Sequence, residues 1–280
     1  MAQSMNSTVM GIFALIAVAL PIGKTQTFEV ASVKQNRSQD RPGMRVAGGR
    51  LTVTNLPLIS FITQAYNLPP FSQRLSGGPD WIGSDHYDIE AVAEKDSLPA
   101  DLPPLVRDER IRVMMQRLLS SRFQLKMRRE TKEMPVYVLS VSKNGPRLTK
   151  ARFEEKDCPQ PGTPEESCHT FRGGQGQGLH AAAVNLSEVA RAIENFSDRP
   201  VLDKTGLAGL YAIDTEGWVP LRPRPVPPPG TPPSAEDQAF ADPARPTIFA
   251  VMDKLGLKLE SQKSEVEIFV IDQISRPSEN

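Results

Sequence analysis

The sequence predicts an α+β protein made of two similar βαββ-αββ units, products of a tandem duplication, separated by Pro/Gly-rich linkers. Three observations carry this reading. Asn55-Leu56 opens one helical stripe, and Asn185-Leu186, 130 residues later, opens another. Each stripe leads through a glycine turn to a strand bearing Tyr-x-Ile: Leu75-Ser-Gly-Gly-Pro-Asp-Trp81 with Tyr87-Asp-Ile-Glu90, and Val201 to Gly209 with Tyr211-Ala-Ile213. A helix followed by alternating segments, Ile111 to Val141, has its counterpart in Ile248 to Ile271. Self-similarity of this length and order points to a repeated supersecondary unit.

Taken in order, Phe28 to Val33 alternates and is rich in β-formers, so it is the first strand. Lys34 to Gly49 reads as a polar loop and Arg50 to Thr54 as the second strand. Asn55 is placed to cap a helix in which Pro57 sits in the first turn, where amides have no intrahelical partner. Leu58, Ile62, Ala65 and Tyr66 share one face of that helix. The glycine turn and the strand Tyr87 to Ala93 follow, then an amphipathic helix of about three turns through Ile111, Met114, Met115, Leu118 and Leu119. Phe123 to Arg129 and Val136 to Val141 read as two strands joined by the polar turn Glu130 to Glu133.

The second unit repeats this pattern. His180 to Val184 is a strand, and Asn185-Leu-Ser-Glu188 is a capping box ahead of the stripe Leu186, Val189, Ala190, Ile193 and Phe196. Ile248, Val251, Met252 and Leu255 make a short helix stopped by Gly256. Leu257 to Gln262 and Glu265 to Ile274 read as a closing hairpin. The boundaries that follow are 1–26 for a signal peptide or N-terminal anchor, 27–142 for the first unit, 143–178 for a linker with the cysteine pair, and 179–280 for the second unit with a Pro-rich insertion at 217–243.

Composition narrows the function. With 33 basic and 33 acidic residues the formal charge is zero, which argues against a nucleic-acid binder. Val9 to Ile22 is apolar and uncharged, shorter than the roughly 20 residues of a membrane span but suited to a signal-peptide core. The chain is therefore expected to be exported, periplasmic or secreted, touching a membrane only through an uncleaved N-terminal segment. Cys158 and Cys168 lack metal-site spacing, and in an oxidising compartment they would pair with each other. Pro220 to Pro233 holds eight prolines and reads as an extended connector.

Phe28-Glu-Val-Ala-Ser-Val-Lys34, Leu75 to Trp81 with Tyr87-Asp-Ile-Glu-Ala91, and Val201 to Tyr211 together resemble the soil-associated family of acidobacterial exported proteins, defined by a domain of unknown function. The resemblance runs from about Thr27 to Arg276. It implies no established activity and no catalytic residue. Some members look fused to membrane sensor peptidases of the BlaR/MecR type; this sequence has no His-Glu-x-x-His. Each helix-turn-strand unit is also similar in pattern to the short N-terminal domains of secretins and TonB-dependent receptors.

The candidate binding surface is Asp80, Trp81, Asp85, His86 and Asp88, together with Asp203 and Lys204. His86, Asp88 and Glu90 share a strand face by the two-residue period, which leaves Tyr87, Ile89 and Ala91 inward. Asp203 precedes Gly206 and Gly209, where a short carboxylate caps a turn. Gly173 to Gly178 reads as a flexible linker, because a strand rather than a helix follows it. Arg107 to Lys132 holds nine basic residues against three acidic ones, a pattern that most simply makes solvated faces. No catalytic, cofactor or metal set stands out: there is no Gly-x-Ser-x-Gly, and the histidines are only His86, His169 and His180. The expectation is a non-enzymatic binding module for an envelope protein or polymer, with no cofactor. The alternatives are a carboxylate hydrolase built on Asp88 and Glu90, and a sensor or accessory domain beside a membrane peptidase.

Overall fold

The computed structural model describes residues 26–70, 72–99, 101–158, 167–219, 221 and 244–277. The expected signal segment, apart from Gln26, and most of the Pro-rich insertion lie outside the described residues.

The first unit is built on a four-stranded antiparallel sheet. β1 (Phe28–Asn36), β2 (Gly43–Ala47), β3 (Arg50–Pro57) and β5 (His86–Ala93) lie in the order β1-β5-β3-β2. Strand alternation sends Leu51, Val53, Tyr87, Ile89 and Ala91 into the core. β2 replaces part of the expected loop; four of its five residues are exposed, so it carries no apolar alternation to read. Helix α1 (Leu58–Ala65) follows β3 directly and buries Leu58, Phe61, Ile62 and Ala65. Asn55 does not cap it. Asn55 sits within β3 at φ +46, and Pro57 precedes the helix without a side-chain cap. Between α1 and β5 come the short β4 (Leu75–Gly77) and the single turn α2 (Trp81–Ser84). Helix α3 (Pro104–Phe123) is longer than the three turns expected, starts on a proline and buries Met115, Leu118, Leu119 and Phe123.

The second unit has the same strand order. β7 (Thr149–Lys150), β8 (Arg172–Gly174), β9 (Gly178–Val184) and β11 (Tyr211–Asp214) form an antiparallel sheet β7-β11-β9-β8. Helix α4 (Leu186–Glu194) follows β9 as α1 follows β3, and its capping box is complete. β10 (Val201–Asp203) and α5 (Ile248–Lys254) occupy the places of β4 and α3. Two of these strands, β7 and β8, come from within 143–178. The glycine run is a hairpin turn rather than a slack linker, with Gly174 paired to Gly178. Cys158 and Cys168 form a disulfide with Cα atoms 5.7 Å apart, and Cys168 bridges to Ala183 of β9.

Neither expected hairpin exists. Lys126–Val141 is one 16-residue strand, β6, and Leu257–Gln273 is one 17-residue strand, β12. They pair with each other antiparallel along their whole lengths, from Lys126↔Gln273 to Val141↔Leu257. At one end β4 adds to β12 in parallel, Leu75 beside Phe269; at the other β10 adds to β6 in parallel, Val201 beside Tyr137. The central sheet thus reads β10-β6-β12-β4, alternating between the units. Each unit's long strand ends in the other unit's core. Ile271 of β12 packs with Leu51, Phe61, Tyr87 and Phe123, while Tyr137 and Leu139 of β6 pack with Val184, Val189, Ile193 and Ile248.

The middle of this ribbon explains the misread turns. Arg128 to Glu133 and Glu260 to Lys263 are exposed, because no neighbouring strand or helix covers them. Charged residues there keep unpaired edges from recruiting other strands. Arg129 and Glu267 face each other at 3.6 Å, and Arg128 pairs with Glu130 at 2.7 Å and with Asp272. A second tie between the units is buried. The Arg74 guanidinium donates to Glu194 at 2.8 Å, and the same carboxylate accepts the Val201 amide at 3.0 Å. Burial pushes the Glu194 carboxyl above its ordinary value, with Arg74 opposing.

Candidate functional site

The most developed polar constellation lies in the second unit, beside the disulfide. It starts from the N-terminus of α4, whose first-turn amides need acceptors. Asn185 accepts the Glu188 amide at 2.9 Å, and Glu188 returns its carboxylate to the Asn185 amide at 2.9 Å. That carboxylate also accepts Nδ1 of His169 at 2.8 Å. Nε2 of His169 reaches Glu155 at 3.1 Å on the other side. Burial would lower the His169 pKa and is the largest single influence. The hydrogen bond and charge of Glu188, with Glu155 behind, outweigh it, so the net direction is upward and the imidazolium is favoured.

His169 is held by its backbone as well. Its φ is +59, a left-handed conformation uncommon for non-glycine residues and held here by its surroundings. Its amide donates to Ala183 at 2.8 Å and its neighbour Cys168 is tethered to Cys158. With both ring nitrogens engaged by carboxylates, His169 is a clasp between the disulfide segment and α4 rather than a free general base.

The clasp walls a cavity of about 350 Å³ whose lining includes Phe171, Leu179, Phe196, Glu188, Arg191 and Asn195. Phe171 and Phe196 are half-buried, and Arg191 and Asn195 are exposed at the rim. Arg191 on α4 and Asn195 at its C-terminal cap are four residues apart and stand on one face. Among the described residues neither side chain is engaged in a hydrogen bond. Asp108 and Arg112 of α3 come within electrostatic reach of His169 and Arg191, so the first unit contributes to the field here. Chemically the arrangement offers a rigid aromatic wall, a guanidinium and an amide.

The residues singled out from sequence are distributed differently. Asp85 binds the Arg276 guanidinium at 2.8 Å, and that guanidinium lies 4.7 Å over the Trp81 ring; Asp80, next to them, is exposed. His86 and Asp88 meet around Asn55. Two Asn55 oxygens face His86 Nδ1 at 2.9 and 3.0 Å, while Asp88 accepts the Asn55 amide at 2.8 Å and the Asn36 side chain at 2.8 Å. Asp203 accepts from the Thr205 amide at 2.9 Å and from Ser187 at 2.8 Å, closing its turn. The Lys204 side chain is exposed, and its amide donates to Leu139. The first five belong to the first unit, and Asp203 and Lys204 to the second.

Cys158, Cys168 and His169 bring potential ligand atoms together, yet both sulfurs are spent in the disulfide and the ring in its carboxylate bonds. Sequence reasoning did not single out His169, Glu188 or Arg191 as a group. The capping box was the visible signal for Glu188, and nothing local announced its second partner 19 residues away.

The family model described as "Protein of unknown function (DUF3738)" matches residues 59–274. The chain belongs to this family. The matched span includes both units' helices, the exchanged strands and the His169 cavity. No curated protein and no solved structure matches the chain. Among the described residues no helix is long and apolar enough to cross a membrane.

Proposed function

We propose that this chain is an exported, non-enzymatic binding module of the cell envelope, made of two units descended from one by tandem duplication. We place it with the acidobacterial soil-associated exported proteins on the three motifs they share. The duplication is supported by the two sheets having the same strand order and by the reciprocal placement of β4 and β10 beside β12 and β6. The observation that carries the functional reading is the cavity beside a closed disulfide. Its histidine and glutamates hold one another, while a guanidinium, an amide and two aromatic rings are left to face a ligand. Such a set recognises rather than transforms. The disulfide itself favours an oxidising compartment.

The test is to recover the protein from its native host by cell fractionation, then determine its N-terminal sequence, thiol state and crosslinked envelope partners. The expected result is an N-terminus lying past the apolar run, oxidised cysteines and capture of an envelope component. An intact Met1 with free thiols would overturn export. Breakdown of an envelope polymer by the purified protein would overturn the non-enzymatic part.

A further inference from the structure

The cavity also speaks about ligand class, an inference that rests on the binding reading just given. Its volume of about 350 Å³ is at the small end of ligand pockets, which run from about 300 to 1,000 Å³. That is room for a monosaccharide or a disaccharide rather than for a protein segment. Phe196 is a fixed wall. Its ring meets the fully buried Trp218 edge-on at 6.0 Å, and a Cβ on Gly174 would fall 2.9 Å from its Cζ, so backbone presses against it. With Phe171 it offers aromatic surface already ordered before binding, which reduces the entropic cost of association.

The polar side is equally defined. His169 bonds both Glu188 and Glu155, so with its imidazolium favoured the clasp carries one net negative charge where two free carboxylates carry two, and repels an anion less. Desolvation of the inner part of Arg191 lowers its pKa, and the like charge of Arg112 lowers it further, against Glu188, Asp108 and Glu194. Arg112 is itself paired with Glu109, so Arg191 is the guanidinium that faces the cavity, and its planar fork matches a carboxylate best.

We propose that this cavity binds a carboxylate-bearing sugar. Arg191 holds the carboxylate, Asn195 hydrogen-bonds the hydroxyl groups, and Phe171 and Phe196 cover the apolar face of the ring.

The experiment is calorimetric titration of the full-length protein with digalacturonate and, separately, with its neutral counterpart digalactose. Arg191→Gln and Phe171→Ala variants, both first checked for unchanged thermal unfolding, are titrated alongside. The expected result is binding of digalacturonate that weakens by about tenfold in R191Q and fades with added salt, with digalactose binding more weakly and indifferent to R191Q. Phe171→Ala weakens both sugars. No binding of digalacturonate at millimolar concentration, equal binding of the two sugars, or digalacturonate binding untouched by R191Q would each overturn the proposal. Failure here, with the protein found processed and oxidised in the envelope, removes the ligand class and leaves the export reading standing. A cytosolic, reduced protein removes the export reading whatever the titration shows.

Discussion

Replacing Ile271 by alanine tests the exchanged strands directly. Ile271 stands near the end of β12, in the second half of the chain, yet it is 5% exposed in the first unit's core. Its side chain would lie 3.2 Å from a Cβ on Gly78, so the packing there is tight. Truncating a buried isoleucine to alanine costs about 2–5 kcal/mol, the removed methylenes plus the cavity they leave. At about 1.4 kcal/mol per factor of ten, the local opening equilibrium should rise by about 30-fold to several thousand-fold. The assay is hydrogen exchange read by mass spectrometry on peptides spanning α1, β4 and β5. Leu259→Ala is the control: the same strand, twelve residues earlier, also 5% exposed, but in the second core. Ile271→Ala should loosen α1, β4 and β5, whereas Leu259→Ala should loosen β9, α4 and β11. If both variants loosened the same unit, or Ile271→Ala loosened the second unit alone, the exchange would be refuted.

Three further outcomes are expected. His169 has its pKa raised in the folded state, so its contribution to stability is complete below the ordinary value of 6.5 and is lost as pH rises through the folded value. The gap in melting temperature between the wild type and His169→Gln should therefore close toward alkaline pH in scanning calorimetry; a gap independent of pH would contradict the clasp. Cys158→Ser opens a loop whose ends are 10 residues apart in sequence and should cost about 3 kcal/mol in chemical denaturation, an effect that reductant reproduces in the wild type. Equal stability in all three samples would show that the bridge contributes nothing. Arg74→Ala leaves Glu194, whose side chain is 6% exposed, without its salt-bridge partner and with the Val201 amide still donating to it, at a cost of about 3–5 kcal/mol. The double variant Arg74→Met with Glu194→Leu should recover most of that loss in the same assay, and a double variant as unstable as the single one would sink the argument.

What could be read from sequence was the local part. α4 was legible because its capping box and its stripe of Leu186, Val189, Ala190 and Ile193 agree. β5 was legible because Tyr87, Ile89 and Ala91 alternate inward. The long strands were not, since Arg128 to Glu133 carry the polarity of a turn for a different reason, exposure on a bare ribbon. Asn55 looked like a helix cap by its residue type, but its amide and side chain are claimed by Asp88 and the Asp40 carbonyl across the sheet. The site was hidden for a related reason. His169 meets Glu188 through the fold, where the disulfide segment lies beside β9 and α4, and no periodicity encodes that encounter.

The crossing of β6 and β12 also sets a timetable for synthesis. Arg128 finds its partner Asp272 only 144 residues later, and β4 has no neighbour until Phe269 to Ile271 emerge. Everything up to Val141 can be translated without the strand that completes its sheet. Loop closure over such a span is slow, which delays the folded state until β12 has been made. The first unit is therefore locked by a strand that the second half of the chain supplies, so each half waits on the other for its final form.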